Sequence, residues 1–78
     1  MDKVFRLQDV YLASFLALQG LPFSFERKDN KILFCFESSE KLYTCLQLFN
    51  EGTTVNLSEF ISKTKELRAK MYEAKVKG

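Results

Sequence analysis

Two cysteines, Cys35 and Cys45, are the only soft nucleophiles in this 78-residue chain, which contains no histidine. Without histidine, no side chain has an ordinary pKa suited to general base catalysis near neutral pH. The sequence also has no CxxC pair, no glycine-rich phosphate loop and no clustered carboxylates. We therefore expect no enzymatic activity, no metal site and no cofactor, and we interpret both cysteines as small apolar residues.

Basic side chains are concentrated in two stretches that could contact phosphates. The net charge of the whole chain is only +2, but it is unevenly distributed. Residues 63–78 carry six of the twelve Lys and Arg residues and only two of the ten acidic residues. Acidic residues are interleaved with the basic ones there, which weakens the attraction to polyanions. The candidate nucleic-acid contacts are Arg27, Lys28, Lys31, Lys63, Lys70 and Lys77. The alternative is a solvated helix surface that keeps a small protein soluble.

The stretch from Asp9 to Gly20 predicts a short helix around which the other elements are organised. Asp9 can cap its first turn, Gly20 can adopt the left-handed conformation after its end, and Pro22 prevents continuation. The helix is apolar on nearly every side, which is typical of a central core helix. Ala13 and Ala17 place small side chains on one side of this helix. The alternative to a core helix is therefore a ligand groove or a dimer interface on that side.

Residues 23–37 predict a β-hairpin with its turn at Asp29 and Asn30. This turn pairs Phe23 with Phe36 and Phe25 with Phe34, and also Arg27 with Ile32, all on one face, because side chains alternate along a strand. The opposite face is mostly polar. It includes two less polar residues, Leu33 and Cys35, which we expect to be exposed among charges and to offer a protein-interaction surface.

The remaining elements predict one opening strand and two further helices. Residues 4–7 alternate as a strand, and a Ser-capped helix follows from Glu40 with an apolar stripe of Leu42, Cys45, Leu46 and Phe49. Residues 53–57 fit an edge strand or a crossing loop equally well. Ser58 is expected to cap a last helix over residues 59–76. Its inner stripe is Phe60, Thr64, Leu67 and Met71, widened by Ile61 and Tyr72.

These elements predict a small α+β single domain over residues 1–78, in the order β-α-β-β-α-(β)-α. A mostly antiparallel sheet of three or four strands carries helices on its Phe-rich face. Cys35 and Cys45 should then lie on opposite sides of the sheet, too far apart to bridge. Unbridged cysteines favour a reducing, cytoplasmic setting, and the apolar run of the first helix is too short to span a membrane.

The chain resembles a small family of bacterial and bacteriophage domains of unknown function. The likeness lies in an Asp-x-Tyr-Leu-Ala-x-x-Leu helix that stops at Gly20, in the Phe-x-Phe of Phe34 and Phe36, and in the motifs of the last two helices. The matching residues there are Phe49, Asn50, Gly52, Phe60, Leu67 and Tyr72. The resemblance implies a fold and a prokaryotic or phage origin, with no activity to transfer.

We expect a non-catalytic protein-interaction module, because a small domain without catalytic groups usually acts by presenting a surface. The candidate surfaces are the polar face of the hairpin and an unpaired sheet edge. The partner could be another protein or a second copy, since a homodimer would enlarge a small core. Nucleic-acid binding is the alternative, although the open sheet face lacks aromatic platforms for stacking bases.

Overall fold

Within residues 3–77, three strands and three helices follow one another in the order that the sequence predicts. The computed structural model describes residues 3–77, and the side chains of residues 3–76. All strands are antiparallel, with the spatial order β1-β3-β2, so the α+β prediction is confirmed. The elements are β1 (Val4–Leu7), α1 (Val10–Leu18), β2 (Phe23–Lys28), β3 (Lys31–Glu37), α2 (Glu40–Glu51) and α3 (Leu57–Lys77).

The hairpin of β2 and β3 has the predicted register. Phe23 lies opposite Phe36, and Phe25 lies opposite Phe34. The facing rings are 5.8 Å and 5.2 Å apart between centroids, within the range of favourable aromatic packing. Phe34 and Phe36 are fully buried and the other two rings are half-buried, so the Phe-rich face forms the floor of the core.

The hairpin turns through two residues in the left-handed region, at Asp29 and Asn30. Their φ angles are 50° and 66°. Positive φ at both central positions is the type I′ arrangement, whose twist matches that of the flanking strands. Asp and Asn tolerate this conformation better than most residues, which explains their presence here.

Helix α1 is the central core helix, as predicted. The Asp9 carboxylate accepts hydrogen bonds from the backbone N–H groups of Tyr11 and Leu12, at 2.9 and 3.4 Å. After the cap at Gln19, Gly20 has a φ of +87°. Ala13 is fully buried in the core, whereas Ala17 is half-buried and Tyr11 is half exposed.

The start of α3 differs from the sequence prediction. The helix begins at Leu57, and its capping residue is Asn56 instead of Ser58, because the Asn56 side chain accepts a hydrogen bond from the Glu59 N–H at 2.9 Å. Residues 53–56 have no regular secondary structure, so the crossing-loop alternative holds. Helix α2 begins as predicted, with Ser39 as its N-cap, and it ends at Gly52, whose φ of +81° makes it the C-cap.

Helix α3 covers the Phe-rich face together with α1. Its inner stripe contains Thr64 and Leu67, both buried, with Phe60 and Met71 half-buried at either end. Ile61 and Tyr72 do not widen this stripe, since both are exposed. The polar face of the sheet, on the other side, is left without a helix by the residues that the structure describes.

Candidate functional site

The basic residues at the hairpin tip lie on two different faces of the sheet. Arg27 pairs with Ile32 on the helix side, whereas Lys28 and Lys31 lie opposite each other on the open side. The structure therefore separates Arg27 from its two predicted companions. Lys28 and Lys31 instead border an open depression, lined by Arg6, Leu7, Gln8, Lys28, Asp29, Lys31 and Leu33.

The expected exposure of Leu33 and Cys35 is wrong. Leu33 is half-buried, and Cys35 is only 8% exposed although it belongs to the open face. Arg6 of β1 lies opposite Cys35 and forms an ion pair with Glu26 of β2, and the Cys35 thiol lies 3.6 Å from the Glu26 Oε2. An ion pair that spans all three strands thus covers the thiol, which makes Cys35 a poor contact for a partner.

The ion pair and the buried thiol shift each other's pKa values. The hydrogen bond from Arg6 lowers the pKa of Glu26 below its ordinary value, and the same contact raises the pKa of Arg6. Burial, followed by the hydrogen bond to Glu26, raises the pKa of the Cys35 thiol. A raised pKa keeps the thiol protonated and unreactive at neutral pH. Cys45 is buried in the core, and neither cysteine forms a disulfide.

Lys63 and Lys70 lie on the flank of α3 that faces β2. Both form ion pairs with Glu66, at 3.4 and 3.3 Å, and Lys70 first and then Lys63 lower the pKa of that carboxylate. The Lys70 ammonium is also 5.9 Å from the centre of the Phe23 ring, a cation–π distance. The side chain of Lys77 lies outside the part of the chain whose side chains are described.

The outer edge of β2 has no partner strand within the described residues 3–77. Backbone groups on β3 point alternately to its two neighbours, and Ser38, just after β3, donates its N–H to the Lys3 carbonyl on the β1 side, at 2.9 Å. Because the Ser38 N–H points to β1, the backbone groups of Cys35 and Leu33, three and five positions earlier, point to β2. The backbone groups of their partners on β2, Ser24 and Glu26, therefore point inward to β3. The residues that alternate with those partners along β2, Phe23, Phe25 and Arg27, therefore direct their N–H and C=O groups outward. No segment among residues 3–77 bonds to them.

A groove runs beside this free edge, between β2 and α3. Half-buried Phe23 and Phe25 form its floor, and Lys63 and Lys70 stand along its wall. The remaining lining comes from the end of α1 and the following turn, namely Ala17, Gly20, Leu21 and Pro22. The groove therefore offers apolar surface, positive charge and free backbone hydrogen-bonding groups within one site, and we take it as the candidate functional site.

Two other properties bear on the range of ligands. Among the residues that the structure describes, no group of three or more His, Cys, Asp or Glu side chains could hold a metal ion. Of the helices in the described part of the chain, none is both long enough and apolar enough to cross a bilayer.

Comparison with known proteins gives a family and nothing more specific. The family model described as a domain of unknown function, DUF5659, matches residues 2–73. No curated protein and no solved structure matches the chain.

Proposed function

The chain belongs to the DUF5659 family of domains of unknown function, and we propose that it is a non-catalytic protein-binding module that takes up an extended segment of a partner as a fourth strand on β2. The observation that carries this proposal is the row of unpaired backbone groups at Phe23, Phe25 and Arg27. Addition of a strand to an exposed sheet edge is a recurring mode of peptide recognition.

The groove beside β2 supplies the contacts that such a segment needs. Its backbone would bond to the free edge, and alternate side chains would lie over Phe23 and Phe25. Lys63 and Lys70 share a single carboxylate partner, Glu66, so the three side chains together carry one net positive charge. Acidic side chains on the segment would therefore be favoured. The two unbridged thiols support a reducing, cytoplasmic location, and the sequence resemblance supports a bacterial or phage origin.

Nucleic-acid binding is a second candidate, and one observation favours it. Arg6, Lys28 and Lys31 border a single depression on the open face. However, Arg6 is already paired with Glu26, and Lys63 and Lys70 line the groove on the other side of the sheet, away from this depression. Contacts to several phosphates would make binding fall steeply with salt.

Selection from a display library of random peptides tests the proposed function. Selected peptides are expected to shift the NMR amide signals of β2 and of the facing flank of α3. Arg27→Pro removes one outward N–H without touching the β2–β3 hydrogen bonds, and proline is tolerated at such edge positions. It should weaken peptide binding at least tenfold, whereas the matched variant Arg27→Ala, which keeps the N–H, should bind nearly as well as the natural chain.

Two results would contradict the proposal. One is equal weakening by Arg27→Pro and Arg27→Ala, which would mean that the arginine charge, not the strand edge, makes the contact. The other is a set of peptide-induced shifts centred on Arg6, Lys28 and Lys31. A parallel titration with single-stranded and duplex oligonucleotides distinguishes the second candidate, which requires the shifts to occur there and to weaken with salt.

A further inference from the structure

A second flank of α3, turned away from β2, carries a strip of exposed apolar side chains. Leu57, Ile61, Tyr72 and Val76 are 69, 45, 63 and 68% exposed. With 3.6 residues per turn, they fall within about 100° of the helix circumference. Buried Thr64 and Leu67 lie outside this strip, so it is separate from the face that packs on the core. They form one apolar pair near each end of α3, Leu57 with Ile61 and Tyr72 with Val76, and such exposed apolar pairs are candidates for contact with a partner.

The charged residues within this strip are all basic. Lys65, Arg68 and Lys75 lie among the apolar side chains at the same helical spacing. The acidic residues of α3 recur every seven positions and lie on a different ridge, at Glu59, Glu66 and Glu73. Glu66 pairs there with Lys63 and Lys70, on the side toward β2. The strip therefore combines apolar surface with positive charge and contains no acidic side chain.

Helix α1 widens the strip and holds part of it in place. The Arg68 guanidinium donates a hydrogen bond to the Tyr11 hydroxyl at 2.9 Å and lies 5.5 Å from the centre of that ring. Tyr11 in turn stacks on Phe60, with ring centroids 6.3 Å apart, while half of its surface stays exposed. A small hollow beside Ile61 is lined by Tyr11, Phe60, Ile61, Thr64, Lys65 and Arg68.

The charges disfavour a second copy of the chain as the occupant. Leu57 and Val76, like Ile61 and Tyr72, lie symmetrically about the middle of the strip, so an antiparallel pair of α3 helices would match apolar residues. However, the same symmetry would set Lys65 of one copy against Arg68 of the other at the centre of the contact. Like charges opposed in an interface are strongly unfavourable. Charge complementarity instead requires an acidic occupant.

We propose that this strip binds an amphipathic helix whose apolar stripe is flanked by Glu or Asp side chains. Leu57, Ile61, Tyr72 and Val76 would receive the apolar stripe, and Lys65, Arg68 and Lys75 would contact the acidic flanks. Helices recognise complementary surfaces by such apolar anchors, repeated every three or four residues. The proposal does not depend on the β2 groove, because the two sites lie on different flanks of α3 and share no residue.

A pair of designed peptides tests this site. Both are 18-residue amphipathic helices with leucine on one face; the probe has Glu at every flanking position and the control has Lys. The Glu peptide is expected to bind at least tenfold more tightly and to shift the amide signals of Tyr11, Ile61, Arg68 and Tyr72. Tyr72→Ala should weaken binding at least tenfold. Tyr43→Ala removes a similarly exposed tyrosine from α2 and should leave binding unchanged, as should Arg27→Pro at the β2 edge.

Several outcomes would overturn the inference. Equal affinity for the two peptides would mean that charge plays no part, and weakening by Arg27→Pro would move the peptide to β2. Sedimentation that shows a dimer abolished by Ile61→Ala would make a second copy the occupant. Binding to vesicles containing phosphatidylglycerol, without binding to the Glu peptide, would assign the strip to a lipid surface.

Discussion

The hydroxyl groups of Ser14 and Thr64 meet at 3.2 Å, where α1 crosses α3. Both side chains are buried, and the two residues are fifty positions apart in the sequence. Thr64 donates to the Ser14 Oγ, which in turn donates to the Val10 carbonyl at 2.6 Å. Small side chains at this crossing let the helices approach closely, and the relay satisfies the only two buried polar residues described.

Removing the acceptor from this relay should cost more than removing the donor. Ser14→Ala leaves the buried Thr64 hydroxyl without its partner, which we expect to lower the free energy of unfolding by about 1–3 kcal/mol. Thr64→Val leaves Ser14 bonded to Val10, so a smaller loss is expected. Urea unfolding of both single variants and the double variant measures the difference. If the loss of free energy in the double variant equals the sum of the two single losses, the bond between the two hydroxyl groups contributes nothing to stability.

The two candidate caps of α3 should differ in their effect on stability. Asn56 accepts the hydrogen bond from Glu59, so Asn56→Ala should lower the free energy of unfolding by about 1 kcal/mol. Ser58 lies inside the helix and is exposed, so Ser58→Ala should change the free energy by less than about 0.5 kcal/mol. Urea unfolding compares the two variants, and a larger loss for Ser58→Ala would restore the cap that the sequence predicts.

The hairpin register could be predicted because one slip would mix its faces. Placing Phe23, Phe25, Phe34 and Phe36 on one side leaves a mostly polar set on the other, whereas a slip by one residue would mix the two sets. The start of α3 could not be predicted in the same way. Thr53, Thr54 and Val55 have β-branched side chains that suggest extended backbone, and Ser58 offers a second plausible cap.

The surfaces were less predictable, because they depend on contacts between distant elements. The burial of Cys35 requires Arg6 to reach across the sheet to Glu26, which follows from the strand order and not from the hairpin pattern. The exposure of Ile61 and Tyr72 depends on the angle at which α3 crosses α1, and helical spacing alone gives no such angle. The sequence predicts that a sheet edge is free, but it does not predict the groove beside that edge, because the wall of the groove comes from α3.

The turn of the hairpin offers a stabilising substitution. Asn30 has a φ of 66°, a conformation in which glycine has no steric penalty. Asn30→Gly creates Asp-Gly, a pair strongly preferred in type I′ turns, and should raise the free energy of unfolding by up to about 1 kcal/mol. Asn30→Val should lower it, because β-branched residues are strongly disfavoured at positive φ. Thermal unfolding of the two variants should therefore shift in opposite directions, and a common direction would contradict the turn geometry.

The cover over Cys35 can be measured by thiol labelling. In a Cys45→Ala background Cys35 is the one remaining thiol, and a disulfide reagent should label it slowly at neutral pH. Arg6→Ala removes the ion pair and should increase the labelling rate several-fold. Arg27→Ala removes an arginine from the opposite face of the sheet and serves as the matched control. Equal rates in the two variants would mean that the Arg6–Glu26 pair does not protect the thiol.

The same ion pair predicts how stability changes at low pH. The pKa of Glu26 is lower in the folded protein than its ordinary value of 4.5, mainly because Arg6 donates a hydrogen bond to the carboxylate. The resulting stabilisation is fully present above pH 4.5 and is lost as the pH falls through the folded-state pKa. Arg6→Gln should move the Glu26 midpoint in an NMR titration back up toward 4.5. Since Glu66 pairs with Lys63 and Lys70 on α3, its lowered pKa should stay unchanged in that variant. An unmoved Glu26 midpoint would mean that another group holds the carboxylate in its charged form.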